Sequence, residues 1–140
     1  MAEKVSSLKW FGTALKALLV LADHEGRCPS GQMAEKLESK SLYLRKVLTH
    51  LVKAGLIHAK EGRDGGYSLA ERPENITLAE VYEAMRSETI SKGFLEVEGD
   101  ACFSPSTTSA LCELRNEMEG WIVDGLEQKT LADLLAKEKN

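Results

Sequence analysis

Two sets of side chains in this sequence have the types and spacing to do chemistry. The first is the thiols Cys28, Cys102 and Cys112, odd in number and far apart. That spacing does not make a disulfide framework, and leaves packing, metal ligation or redox reactivity as their uses. The second is a cluster of cations and hydrogen-bonding groups, Lys40, Ser41, Tyr43, Arg45 and Lys46, followed by Lys60 and Arg63 beside Gly65 and Gly66. Lys and Tyr suit phosphate oxygens, and Arg can also pair in two-pronged fashion with the major-groove edge of guanine. The histidines His24, His50 and His58 are scattered, and no Ser/His/Asp or Cys/His grouping is spaced for catalysis, so no enzyme is expected.

The cationic cluster needs elements to hold it, and the local pattern supplies them. Leu44, Val47, Leu48 and Leu51 recur at helical spacing, and Gly55 suits the left-handed position that stops a helix. Ile57 to Glu61 and Tyr67 to Leu69 then read as two strands around Gly62-Arg63-Asp64-Gly65-Gly66, with Asp64-Gly65 as the expected hairpin turn. Before this unit, Pro29-Ser30 opens a short helix with Ser30 as its expected N-cap and Met33, Ala34 and Leu37 inward. A break at Glu38–Lys40 separates it from the longer helix. Short helix, tight turn, longer helix and hairpin make a winged helix-turn-helix, whose second helix is the one that enters a major groove.

The flanking segments complete the expected fold. Ser6 or Ser7 caps a first helix running to about Asp23, with Leu8, Leu15, Leu18, Leu19 and Ala22 as its buried side. Thr77-Leu78-Ala79-Glu80 is a capping box opening a helix from Leu78 to about Met85. Ser87–Asp100 reads as an acidic loop. A long helix follows from about Ser106 to Leu126, with Leu111, Leu114, Met118, Trp121, Ile122 and Gly125 in one apolar stripe, and Thr130 caps a last short helix. The expected fold is mainly α with a small β-hairpin. Residues 1–85 form a winged head, 86–105 a loop or effector region, and 106–140 a dimerisation helix and C-terminal helix. A stripe wider than one small domain needs calls for a second copy.

Composition is that of an ordinary globular chain, 43% hydrophobic and 29% charged over 140 residues. No apolar run approaches the roughly 18 residues of a membrane span, and MAEKVSSLKW is not followed by a cleavable signal pattern, so a cytoplasmic location is expected. The net charge of −4 conceals a polarised chain: residues 1–35 are neutral, 36–72 carry +4 and 73–140 carry −8. The positive excess therefore lies only in the helix-and-wing segment, which points it toward a polyanion. A protein-docking winged helix is the alternative that the acidic C-terminal half would suit.

The segments Ala14-Leu15-Lys16-Ala17-Leu18-Leu19, Met33-Ala34-Glu35 and Leu51-Val52-Lys53-Ala54-Gly55-Leu56-Ile57 resemble the Rrf2 (BadM-type) family of bacterial winged-helix regulators. The wing Gly62-Arg63-Asp64-Gly65-Gly66-Tyr67-Ser68-Leu69-Ala70, Ile76-Thr77-Leu78-Ala79-Glu80-Val81 and Thr130-Leu131-Ala132-Asp133-Leu134 extend the match across most of the chain. The resemblance implies a homodimer joined along Leu111, Leu114, Met118, Trp121 and Ile122 and set on palindromic double-stranded DNA; a repressor is expected, with an activator as the alternative. Expected DNA contacts are Ser30 and Gln32 at the short helix, Lys40, Ser41, Tyr43, Arg45 and Lys46 on the recognition helix, and Lys60, Arg63, Gly65 and Gly66 on the wing. Three positions depart from the family: Glu61 stands where many members carry Arg, Arg45 where many carry Glu, and Gly12-Thr13 where Arg-Tyr is usual. An operator cannot be borrowed from a relative.

Many members hold an iron–sulfur cluster through three cysteines packed just before the long helix. Here only Cys102 and Cys112 lie in that region and Cys28 is far upstream, so a cluster would need His24 or a carboxylate to complete it. A thiol switch is the second reading. Cys102 shortly precedes a helix N-terminus, which favours thiolate, while Glu96, Glu98 and Asp100 oppose it. Inert cysteines, Cys28 above all, or a small-molecule effector near Trp10 and Phe11 or the long helix complete the alternatives.

Overall fold

The computed structural model describes residues 7–86 and 103–137. The expected loop Ser87–Asp100 and the thiol Cys102 lie outside the described residues. Six α-helices and one hairpin are described: α1 (Ser7–Asp23), α2 (Ser30–Leu37), α3 (Ser41–Lys53), β1 (Ile57–Lys60), β2 (Gly66–Leu69), α4 (Leu78–Met85), α5 (Pro105–Glu127) and α6 (Leu131–Lys137). A short 3-10 turn, Pro73–Asn75, links the hairpin to α4.

The core gathers the inward faces of α1 to α4 and the first residue of α6. Leu44, Val47, Leu48 and Leu51 of α3 are fully buried, as their spacing predicts. On α1 the buried face differs from expectation: Ala14, Ala17, Leu18 and Leu21 are inside, while Leu15 and Leu19 are half-buried at the margin of the core. Helix α1 touches α2, α3, α4, α6 and β2. Where one helix is packed on so many sides, small side chains mark the close approaches, and hydrophobicity counting looks for large ones.

Both helices of the helix-turn-helix are closed at their C-terminal ends by the same device. Glu38 sits in the left-handed region at φ 51°, while its N–H bonds to Glu35 O (3.2 Å) and that of Ser39 to Ala34 O (2.9 Å). Gly55 repeats the geometry at φ 78°, with Gly55 N–H to Val52 O (3.0 Å) and Leu56 N–H to Leu51 O (3.1 Å). These paired bonds satisfy carbonyls that the helix ends would leave open. A non-glycine residue pays a steric cost in this region, partly offset by the unfolded-chain entropy that glycine adds. Glu38→Gly is therefore expected to raise stability by about 0.5–1 kcal/mol, read as a higher denaturant midpoint with unchanged slope. A fall would mean that the Glu38 side chain makes a compensating contact.

Two caps need correcting or confirming. Ser30 is not the N-cap of α2; Pro29 is, at φ −62° and ψ 147°, and no side chain caps the helix. Proline presets the extended-to-helical entry, and its carbonyl takes the Met33 N–H at 3.1 Å. At α4 the expected capping box is present: Thr77 Oγ1 accepts from Glu80 N–H and Glu80 Oε1 accepts from Thr77 N–H, both at 3.2 Å. Thr130 and Asp133 form the equivalent pair at α6.

The hairpin pairs Ile57 with Leu69 and Lys60 with Gly66. Its turn is not the expected Asp64-Gly65 type. Positive φ falls on Gly62 (104°) and Gly66 (148°), and Gly65 N–H closes on Gly62 O at 3.0 Å. Gly65 is required for a different reason: a Cβ there would collide with the carbonyl of Lys60. Gly66 lies against the backbone of Cys28, and a Cβ would stand 2.8 Å from that carbonyl group. This closeness lets Tyr67 exchange two backbone hydrogen bonds with Cys28, each 2.9 Å, so the wing root is stapled to the α1–α2 connection.

Helix α6 returns to the head. Leu131 is fully buried, its N–H bonds Ile76 O at 3.0 Å, and Leu78 N–H bonds Lys129 O at 2.9 Å. Although the sequence groups α6 with the long helix, it closes the bottom of the head core. None of the 23 residues of α5 is buried. It is held to α4 by Glu119, which accepts from the Tyr82 hydroxyl and pairs with Arg86 at 3.3 Å; Arg86 also pairs with Glu83 at 2.8 Å.

Candidate nucleic-acid interface

The residues of α3 divide cleanly by face. Leu44, Val47, Leu48 and Leu51 anchor the helix, which leaves Ser41, Leu42, Arg45, Lys46 and Thr49 exposed on the opposite side. Lys40, in extended conformation at φ −70° and ψ 132°, precedes the first turn. The Thr49 hydroxyl donates to Arg45 O at 2.8 Å. Lys60 and Arg63 are exposed on the hairpin. Among the described residues, Lys40, Arg45, Lys46, Lys60 and Arg63 form no ion pair with an acidic side chain. Their charges stand open to an external anion.

Tyr43 is placed differently from its neighbours. Its hydroxyl shares a 3.1 Å hydrogen bond with Thr13 Oγ1, its ring meets Trp10 edge-on at 6.5 Å, and Lys9 Nζ stands 5.5 Å from its centre. It is half-buried and ties α3 to α1. His50 contributes to the same tie through an edge-on contact with Trp10 at 4.9 Å. Ser30 and Gln32 stand in the first turn of α2, Ser30 half-buried and Gln32 exposed with its amide 3.3 Å from His24 Nε2.

Beside the head of α3 lies a cleft of about 550 Å³ lined by Lys9, Trp10, Lys16, Lys40, Tyr43 and Lys46, among others. Its α1 lysines are members of the cationic surface that sequence reasoning missed. Lys9 and Lys16 stand seven residues apart, two helical turns, and so share a face. That spacing was the available signal, obscured because residues 1–35 are neutral as a block.

Among the described residues, Cys28 and Cys112 are both free thiols. Cys28 is fully buried, bonded through its backbone to Tyr67, with its Sγ directed at Pro29 O at 3.7 Å. Burial pushes its thiol pKa up, and the nearby Lys36 only partly offsets this. As a redox candidate Cys28 is therefore corrected to a packed core residue, since it is the exposed thiolate that reacts. Cys112 is half-buried on α5. In a Cys102→Ser/Cys112→Ser variant, Cys28 is expected to react with a thiol reagent only as fast as the protein unfolds. Immediate labelling would show that the wing root does not seal it.

A family model for Rrf2, described as "Iron-dependent Transcriptional regulator", matches residues 9–137. The chain belongs to the Rrf2 family. An HTH-type transcriptional regulator of Rhodobacter capsulatus named as rrf2-like is 38% identical over 73 residues, 49% of this chain and 49% of that one. The chain thus spans about half the length of that relative. The regulator NsrR of Shouchella clausii is 31% identical over 114 residues, covering 76% of this chain and 71% of its own. The solved structure of T. potens IscR superposes with a TM-score of 0.67 at 28% identity, covering 99% of this chain and 90% of that one. The winged-helix fold is thereby that of the Rrf2 family, whose members are transcriptional regulators and not enzymes.

Of the two thiols that an iron–sulfur group would draw on near the long helix, Cys112 is on α5 and Cys102 lies outside the described residues. No group of three or more His, Cys, Asp or Glu side chains among the described residues could hold a metal ion. Cys28 is fully buried in the core of this Rrf2 chain, and His24 Nε2 lies 3.3 Å from the Gln32 amide nitrogen. Among the described residues, no helix is long and apolar enough to cross a membrane.

Proposed function

We propose that this protein is a sequence-specific DNA-binding repressor, acting in the cytoplasm as a homodimer on a palindromic operator. The observation that carries the reading is the exposed, unpaired cationic face of α3 continued by Lys60 and Arg63 on the wing. Residues 1–85 with α6 serve as the reading head, and α5 as the joint between copies. Arg45 and Ser41 face the base edges, while Lys40, Lys46 and the first turn of α2 receive phosphates, whose oxygens meet open backbone N–H groups there. Lys60 and Arg63 suit a narrowed minor groove, where negative potential is strongest. Gly65 and Gly66 hold the wing that presents them. The thiols left to respond to a signal are Cys112 and Cys102, the latter outside the described residues.

The test is binding to a duplex selected from a random pool, measured across salt concentrations. Neutralised phosphates give a linear fall of log affinity with log salt, which a protein-docking module would not show. Arg45→Ala is expected to cost about 1–3 kcal/mol on the selected duplex, and much less on random sequence. Equal losses on both would make Arg45 a phosphate contact.

A further inference from the structure

The cations on α3 surround one side chain with nothing to offer an anion. Leu42 is 70% exposed, the most exposed of the large hydrophobic residues described. It sits in the first turn of α3, three and four residues before Arg45 and Lys46, and so shares their face. Leu44, Val47, Leu48 and Leu51 already fill the inward side, so Leu42 adds nothing to the core. A leucine on the surface is unexceptional by itself. This one stands where the N-terminal part of a recognition helix meets base edges.

We infer that Leu42 is a specificity-determining residue that reads the C5-methyl group of thymine in each half-site. The inference rests on the DNA-binding reading above and names one element of its code. Leucine has no hydrogen-bonding group, and in the major groove the thymine methyl is the one apolar feature that distinguishes a base pair. Cytosine offers an amino donor at the neighbouring position, which Leu42 would leave unsatisfied. Lys40, Arg45 and Lys46 lie around Leu42 on the exposed surface, so phosphate contacts can hold the helix while the apolar tip is pressed against the bases. Thr49, two turns after Leu42, is exposed on the same face.

The test begins with sequences enriched from a random duplex pool by the full-length protein. The wild type is expected to select a thymine at one fixed position in each half-site, and Leu42→Ala to lose that preference while keeping the rest of the consensus. Replacing that thymine by deoxyuridine, which removes only the methyl, is expected to weaken wild-type binding about fourfold per half-site, the factor for burying one methyl-sized group. The same replacement should leave Leu42→Ala binding unchanged. Because the side chain is exposed, this variant should unfold at the wild-type denaturant midpoint. An unchanged thymine preference in Leu42→Ala, or equal uracil effects in both proteins, overturns the inference and leaves the regulator reading standing. A pool with no enriched sequence overturns both.

Discussion

Gly66→Ala is expected to lower unfolding free energy by about 2–4 kcal/mol and to weaken DNA binding through loss of the wing. Two costs coincide at this residue. Its φ of +148° is a conformation that side-chain-bearing residues rarely adopt, and a Cβ would stand 2.8 Å from the carbonyl group of Cys28. That carbonyl cannot yield freely, because it accepts the Tyr67 N–H at 2.9 Å while Cys28 N–H bonds back to Tyr67. Opening the bridge would break two hydrogen bonds, strand four backbone groups and uncover the Cys28 side chain. Gly62 is the natural control. It has positive φ (104°) but nothing within 4 Å of a Cβ, so Gly62→Ala carries the conformational cost without the collision. Chemical denaturation of both variants separates the two terms. Equal losses would mean that the wing root does not pack tightly against the α1–α2 connection.

Local elements of this fold were legible because their causes are local. The capping boxes at Thr77 and Thr130 and the buried face of α3 follow from residues within one or two turns of each other. What escaped depends on distant partners. Nothing near Cys28 in sequence announces its pairing with Tyr67, and Asp64-Gly65 resembles a common hairpin turn although positive φ falls on Gly62 and Gly66. Glycine in a turn signals conformational freedom, but Gly65 and Gly66 also serve as places where backbone approaches backbone. Leu131 looked like part of a C-terminal arm, yet it is wholly buried in the head because Ile76 and Lys129 draw α6 back. The cationic face of α3 was readable from charge spacing, whereas the inward turn of Tyr43 depends on Thr13 and Trp10, both on α1.

Trp121→Glu is expected to convert the protein from dimer to monomer and to reduce operator affinity by about a hundredfold or more, since one head then binds without the effective concentration supplied by the other. Trp121 is 60% exposed and Leu114 40%, on a helix of 23 residues with no buried member. A tryptophan brings some 150–250 Å² of largely apolar surface to a contact, and a two-fold interface counts each residue twice. The same helix carries Glu113, Glu117, Asp124 and Glu127, so two copies brought together also repel. Added salt screens that repulsion and should tighten the wild-type dimer while it weakens the grip on phosphates. Sedimentation at two salt concentrations reads the first effect, and anisotropy on labelled duplex reads the second. Glutamate at position 121 places a carboxylate where apolar area would be covered, and its desolvation opposes association at either salt concentration. The head should survive, because Glu119 rather than Trp121 binds Tyr82 and Arg86, and unfolding by denaturant should confirm an intact core. If Trp121→Glu still sediments as a dimer, the joint between copies lies elsewhere on the molecule and α5 has a different occupant.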